Sequence, residues 1–160
     1  MRAVRGVLRA GGLTVPCSLG RTGRSYRKRE GDGATPAGTW FLRRAFYRAD
    51  RMVPPRAWVP ARPLRRHDGW CEAVGDRNYN RLVSMPYGGA HETLRRADRL
   101  YDIMVELSHN ERPRIQGLGS AVFFHLRRED GGPTAGCIAV SLSDMKKLLM
   151  LCGRNTRIVV

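Results

Sequence analysis

The sequence predicts a mainly β fold with chiefly antiparallel strands. Short runs rich in β-branched and aromatic residues recur along the chain, one stretch alone has firm helical spacing, and Gly- or Pro-bearing turns separate the runs. At 160 residues the chain suits a single domain, residues 1–160, with room for a real hydrophobic core.

The elements follow in order. Two strand-like runs flank Gly11-Gly12, a pair that tolerates the positive φ angles of a tight turn, so a β-hairpin opens the domain. Residues 20–38, rich in Gly and basic residues, form a long structured loop ending in Thr35-Pro36-Ala37-Gly38, and the run TWFLRRAFY then reads as a strand. Pro54, Pro55, Pro60 and Pro63 rule out a helix or central strand over 53–69, leaving an extended surface excursion. The segment HETLRRADR (91–99) suggests a short helix, and LYDIMVELSH (100–109) a strand. SAVFFHL (120–126) and CIAVSL (137–142) have the continuous apolar character of strands buried on both faces. With Ser143 as N-cap, Met145, Leu148, Leu149 and Cys152 recur at helical spacing up to a stop at Gly153, and TRIVV closes the chain as a strand.

The net charge of +15 and isoelectric point near 11.1 predict attraction to anionic partners. Arginine supplies 26 of the 29 basic residues, spread as pairs such as Arg43-Arg44 and Arg127-Arg128 with no dense basic tail. This is the pattern of a solvated basic surface, and no nucleic-acid-binding motif accompanies it.

Cys17, Cys71, Cys137 and Cys152 contain no C-x-x-C pair and no zinc-finger spacing, so no metal site is expected. Arg2, Arg5 and Arg9 interrupt any leader-like apolar stretch, so no export signal is visible at the N-terminus. No apolar run approaches the ~20 residues of a membrane-spanning helix, so no transmembrane segment is expected.

The chemistry concentrates in FFHLRREDGGPTAGCIAV, which places His125 near the end of one buried run and Cys137 at the start of the next. A hairpin between them would bring the two side chains together, and an imidazole that takes a thiol proton yields the thiolate that attacks carbonyl carbon. Gly136 lacks a Cβ, letting a carbonyl approach the backbone, and the amides of Gly136 and Cys137 are candidate oxyanion donors. No Asp or Asn is placed to orient His125, which leaves a backbone carbonyl for that task. On residue chemistry alone, a satisfied core His and a buried inert Cys explain the same pattern. His67, His91 and His109 read as surface residues, and Trp70, Tyr79 and Tyr87 have no assigned role. Gly31-Asp32-Gly33 lacks the pattern of a phosphate-binding loop.

The stretch Thr134-Ala135-Gly136-Cys137-Ile138 behind His125 resembles the His…(Ser/Thr)-x-Gly-Cys signature of YkuD-type L,D-transpeptidases, and EGDGATPAGTWFL resembles the Gly-Asp-x-x-Thr-Pro-x-Gly turn that opens that domain. The resemblance covers nearly the whole chain. It departs at Ala135 and Ala139, where the best-known members carry His and Arg.

The resemblance implies a YkuD-type β-sandwich of antiparallel and mixed strands with one or two short helices. It also implies a cysteine acyltransferase acting on peptidoglycan, with Cys137 as nucleophile, His125 as base and Gly136 shaping the oxyanion site, without metal or organic cofactor. The implied partners are donor and acceptor stem peptides, or an envelope protein as acceptor, in the cell envelope or periplasm. Hydrolysis of the same acyl-enzyme would instead make a carboxypeptidase or amidase. A basic nucleic-acid-binding module and a catalytically idle envelope-binding domain are the rivals from other classes.

Overall fold

The computed structural model describes residues 5–153 and 155–160. Strands β1 (Arg5–Ala10) and β2 (Leu13–Ser18) pair antiparallel with Ala10 opposite Leu13. The two residues between them, Gly11 and Gly12, have φ of 53° and 80°, as a primed hairpin turn requires. The 20–38 loop contains the two-residue strands β3 (Arg24–Ser25) and β4 (Thr35–Pro36), paired parallel. It leads into β5 (Thr39–Tyr47), whose limits match the TWFLRRAFY run. The Pro-rich excursion runs mostly without regular structure and adds the edge strand β6 (Ala61–Pro63) beside β5.

Three short strands follow, β7 (Asp68–Cys71), β8 (Leu82–Ser84) and β9 (His91–Thr93), forming a separate sheet with β7 at its centre. The helix expected at 91–99 is therefore corrected to a strand and turns. Glu92 pairs with Trp70 across the ladder, and the buried Leu94 donates its amide to the Asp68 carbonyl, so tertiary pairing overrides a weak helical tendency.

Next come β10 (Ile103–Leu107), β11 (Phe123–Leu126), β12 (Ile138–Val140), the helix α1 (Leu142–Leu151) and β13 (Arg157–Val159). The main sheet runs β1-β2-β12-β11-β10-β5-β13, with β6 paired to β5 off this path. Two boundaries shift from expectation. β11 starts only at Phe123, because Ala121 at φ 50° breaks the extended backbone, and α1 is capped by Ser141, whose Oγ accepts the Asp144 amide at 3.1 Å.

The larger correction concerns β11 and β12, which are parallel neighbours, not a hairpin. A four-residue strand is only ~13 Å long, so the connection from 127 to 137 returns to the starting end without a helix. That connection is tied down on its way: Thr134 donates to the Leu19 carbonyl at 2.9 Å and Arg21 donates to the Thr134 carbonyl at 3.0 Å.

Both faces of the central strands are covered. Val105, Phe124, Ile138 and Val140 pack with Met145 and Leu149 of α1, whereas Met104, Phe123 and Cys137 pack with Trp70, Leu94 and Tyr101. The mixed sheet is thus a middle layer between the helix and the small β8-β7-β9 sheet. Strand alternation sorts neighbouring residues to opposite faces, which is why Cys137 and Ile138 enter different cores.

Candidate active site

The parallel register sets His125 beside Ala139 and Phe124 beside Ile138. With a side-chain period of two, Phe123, His125, Cys137 and Ala139 share the face turned toward Trp70 and Tyr101. On that face lies a cavity of about 410 Å³, and both His125 and Cys137 line it. Sequence proximity suggested this meeting; parallel pairing, not a hairpin, accomplishes it.

Cys137 is 9% exposed. Its thiol donates to the Ala121 carbonyl at 3.2 Å and its sulfur accepts the Phe123 amide at 3.3 Å. Burial pushes the thiol up to about 12, with the Phe123 amide opposing the rise. His125 is 5% exposed, and burial lowers it to about 4. Both groups are neutral near pH 7. Nδ1 of His125 lies 2.7 Å from the Leu126 carbonyl oxygen. A carbonyl only accepts, so Nδ1 carries the ring proton and Nε2 keeps its lone pair. A backbone carbonyl thus orients the imidazole, and the Tyr101 ring packs against it in a T-shaped contact at 5.1 Å. Among the described residues no hydrogen bond links the imidazole directly to the thiol.

Gly136 has φ of 149°, and a Cβ there would lie 2.9 Å from the Ala34 carbonyl oxygen, so glycine is required. Its amide donates to Thr134 Oγ1 at 3.1 Å, which leaves the Cys137 amide as the remaining oxyanion candidate of the two considered. Thr134 Oγ1 in turn donates to the Cys137 carbonyl at 2.7 Å, so one hydroxyl braces both sides of the Gly-Cys bond.

The Gly-Asp-x-x-Thr-Pro segment serves this same turn from below. Asp32 accepts the amides of Arg29 and Ala34, each at 2.8 Å, and pairs with Lys28 Nζ at 2.6 Å. The fold this imposes directs Thr35 Oγ1 to the Cys137 carbonyl at 3.3 Å. Lys28 is only 8% exposed and lines the cavity, a buried cation that sequence reasoning missed because a Lys in a basic loop reads as surface.

Ala135 and Ala139 both line the cavity, so the two departures from the best-known pattern put methyl groups there in place of a His and an Arg. The other histidines lie elsewhere. His67 is exposed and His91 half-buried, whereas His109, expected at the surface, is 8% exposed, packed edge-on against Trp40 and bonded through Nε2 to the Leu118 carbonyl. Trp70 and Tyr79 are core residues at 3% and 1% exposure.

A layered mixed-β domain with a buried thiol and an imidazole opening into one cavity defines the class of molecule. The chain belongs to the YkuD family, the L,D-transpeptidase catalytic domain, whose family model matches residues 5–160. That family acts on peptidoglycan peptides and is usually associated with the cell envelope. No curated protein and no solved structure matches the chain. No helix among the described residues is long and apolar enough to cross a membrane, and no cluster of potential metal ligands occurs among them.

Proposed function

We propose that this protein is a peptidoglycan L,D-transpeptidase whose nucleophile is Cys137 and whose base is His125. The observation that carries the proposal is their placement on one face of the parallel β11–β12 pair, lining one cavity, in a chain of the YkuD family.

In the first half-reaction Cys137 Sγ attacks the carbonyl of the donor stem peptide's diaminopimelate L-centre while the thiol proton passes to His125 Nε2. The C–N bond to the terminal D-alanine breaks, His125 returns its proton to the departing amine, and a thioester remains. In the second, an acceptor amine attacks the thioester, His125 takes the surplus proton and passes it to the departing sulfur as the C–S bond breaks, which restores the thiol and the neutral imidazole. Substrate entry must displace the thiol from its Ala121 bond, since a proton held by a carbonyl is unavailable to the imidazole. Gly136 and Thr134 hold the turn, and the Cys137 amide faces the developing oxyanion.

The test is incubation of disaccharide tetrapeptides with the protein, with products identified by mass spectrometry. Cross-linked dimers that lose one D-alanine per bond formed, absent with Cys137→Ala, are expected. Products containing water in place of the acceptor amine identify the carboxypeptidase or amidase outcome. Wild-type turnover by Cys137→Ala overturns the nucleophile.

A further inference from the structure

Between β5 and β6 lies the segment Arg51-Met52-Val53-Pro54-Pro55-Arg56-Ala57-Trp58-Val59-Pro60, which has no acidic, amide or hydroxyl side chain. Met52, Ala57 and Val59 pack against the core on the α1 side of the main sheet. Their neighbours do the opposite. Val53 is 80% exposed and Trp58 70%, with Pro54, Arg56 and Pro60 exposed beside them. Burial alternates from Arg56 to Pro60, so Ala57 and Val59 hold the segment down while Arg56, Trp58 and Pro60 face outward. An exposed indole beside an exposed aliphatic tip, rimmed by cations, marks an interaction surface.

The chemistry of the segment selects the partner. Saccharide recognition needs hydrogen-bond acceptors around the aromatic ring, and residues 51–60 offer no carboxylate, amide or hydroxyl to accept. Val53 and Pro54 have nothing to gain from a nucleic-acid phosphate backbone. A bilayer interface suits what is present: an indole with an apolar body and a polar N–H, aliphatic neighbours, and cations for anionic headgroups. Arg56, Arg65 and Arg66 are exposed, and among the described residues none has an acidic ion-pair partner, whereas Asp102 holds Arg51 and Asp68 holds Arg62. Pro54, Pro55 and Pro60 carry no N–H, so this irregular backbone brings fewer unpaired donors against an apolar phase. The segment is also fixed in advance. Met52 donates its amide to the Arg48 carbonyl at 3.0 Å and the Pro60 carbonyl accepts the Ala45 amide at 2.8 Å, so little freedom is lost on contact.

We propose that this segment is a membrane-docking loop, laying Trp58, Val53 and Pro54 into the interface of an anionic phospholipid bilayer while Arg56, Arg65 and Arg66 meet the headgroups. The loop packs on the α1 side, whereas Cys137 belongs to the core on the other face of the sheet, and neither Trp58 nor Arg56 lines the catalytic cavity. Docking therefore leaves that cavity free for substrate and does not depend on the chemistry performed there.

The test mixes the intact protein with vesicles of phosphatidylglycerol and phosphatidylcholine, or of phosphatidylcholine alone. It reads sedimentation together with quenching of tryptophan emission by lipids brominated on the acyl chain. A net charge of +15 attracts any anionic vesicle, so quenching, not sedimentation, separates insertion from surface attraction. Of the three tryptophans, Trp58 is the exposed one, Trp40 being half-buried and Trp70 buried. Binding to the anionic vesicles should be at least roughly tenfold tighter than to the neutral ones. Emission should move to shorter wavelength, and the quenching should vanish in Trp58→Phe while that variant still sediments with vesicles. Trp58→Ala should weaken binding on the order of tenfold, and Arg56→Ala roughly fivefold. Both side chains are exposed, so folding should survive either change, and the wild-type quenching decides by itself if a variant does not fold. Absence of binding, binding without quenching, or quenching that survives Trp58→Phe overturns the docking loop. So does an emission change with isolated glycan strands or single-stranded DNA and none with vesicles.

Discussion

Thr134 and Cys137 are joined by a 2.7 Å hydrogen bond from the threonine hydroxyl to the cysteine carbonyl, and the same hydroxyl oxygen accepts the amide of Gly136. Thr134 therefore ties both Gly136 and Cys137 in the turn that presents the thiol, with Thr35 Oγ1 reaching the same carbonyl at 3.3 Å. Thr134→Val should lose both bonds, destabilise the fold by about 1–2 kcal/mol and lower turnover by a larger factor than stability explains. Thr134→Ser should restore both quantities. Thermal unfolding and tetrapeptide turnover on the two variants decide the point; equal turnover in Thr134→Val and wild type removes the role.

Gly136→Ala places a Cβ 2.9 Å from the Ala34 carbonyl and puts a non-glycine residue at φ 149°. A loss of at least ~1–3 kcal/mol is expected, together with loss of turnover because the thiol shifts. Unchanged unfolding in urea contradicts this geometry.

Cys137→Ala should abolish turnover at small structural cost. The side chain is buried, so removing the sulfur costs about 1 kcal/mol, or a few degrees in Tm for a chain of this size. Calorimetry beside the product assay separates the two effects.

His125 and Glu72 make opposite contributions to stability in acid. The folded imidazole refuses a proton until about pH 4, whereas the unfolded one takes it near 6.5, so stability falls as pH drops through that window. The loss is on the order of 3 kcal/mol. Burial raises Glu72 from 4.5 to about 7, so its folded form takes up a proton first and gains stability as pH falls from about 7 to 4.5. Urea unfolding between pH 4 and 7.5 should therefore show a shallower acid loss in His125→Gln and a steeper one in Glu72→Gln. The same slope in all three proteins contradicts both shifts.

Thiol reactivity offers a further check. With the thiol pushed up to about 12, iodoacetamide labelling of Cys137 in the free protein should climb with pH up to at least about 10 with no plateau near neutrality. Donor peptide that displaces the thiol from Ala121 should bring the rise to lower pH. A plateau below pH 8 in the free protein rules out a resting neutral pair.

Much of this protein is local information and was legible as such. Gly11-Gly12 suited a primed turn, TWFLRRAFY carried its own strand limits, the spacing of Met145, Leu148 and Leu149 defined the helix face, and the run from His125 to Cys137 held the imidazole and the thiol that come to line one cavity. These readings depend on contacts between near neighbours, where turn chemistry and side-chain period suffice. Which strand lies beside which is settled by long-range packing. β12 pairs with β2 on one side and β11 on the other, turning an expected hairpin into a parallel pair. The register of β7 with β9 overrode the helix expected at 91–99 and set Glu72 near Glu92. Burial of Lys28, His109 and the thiol itself likewise came only from the assembled layers, because the free energy of a charge or a proton depends on surroundings that residues far apart in sequence supply.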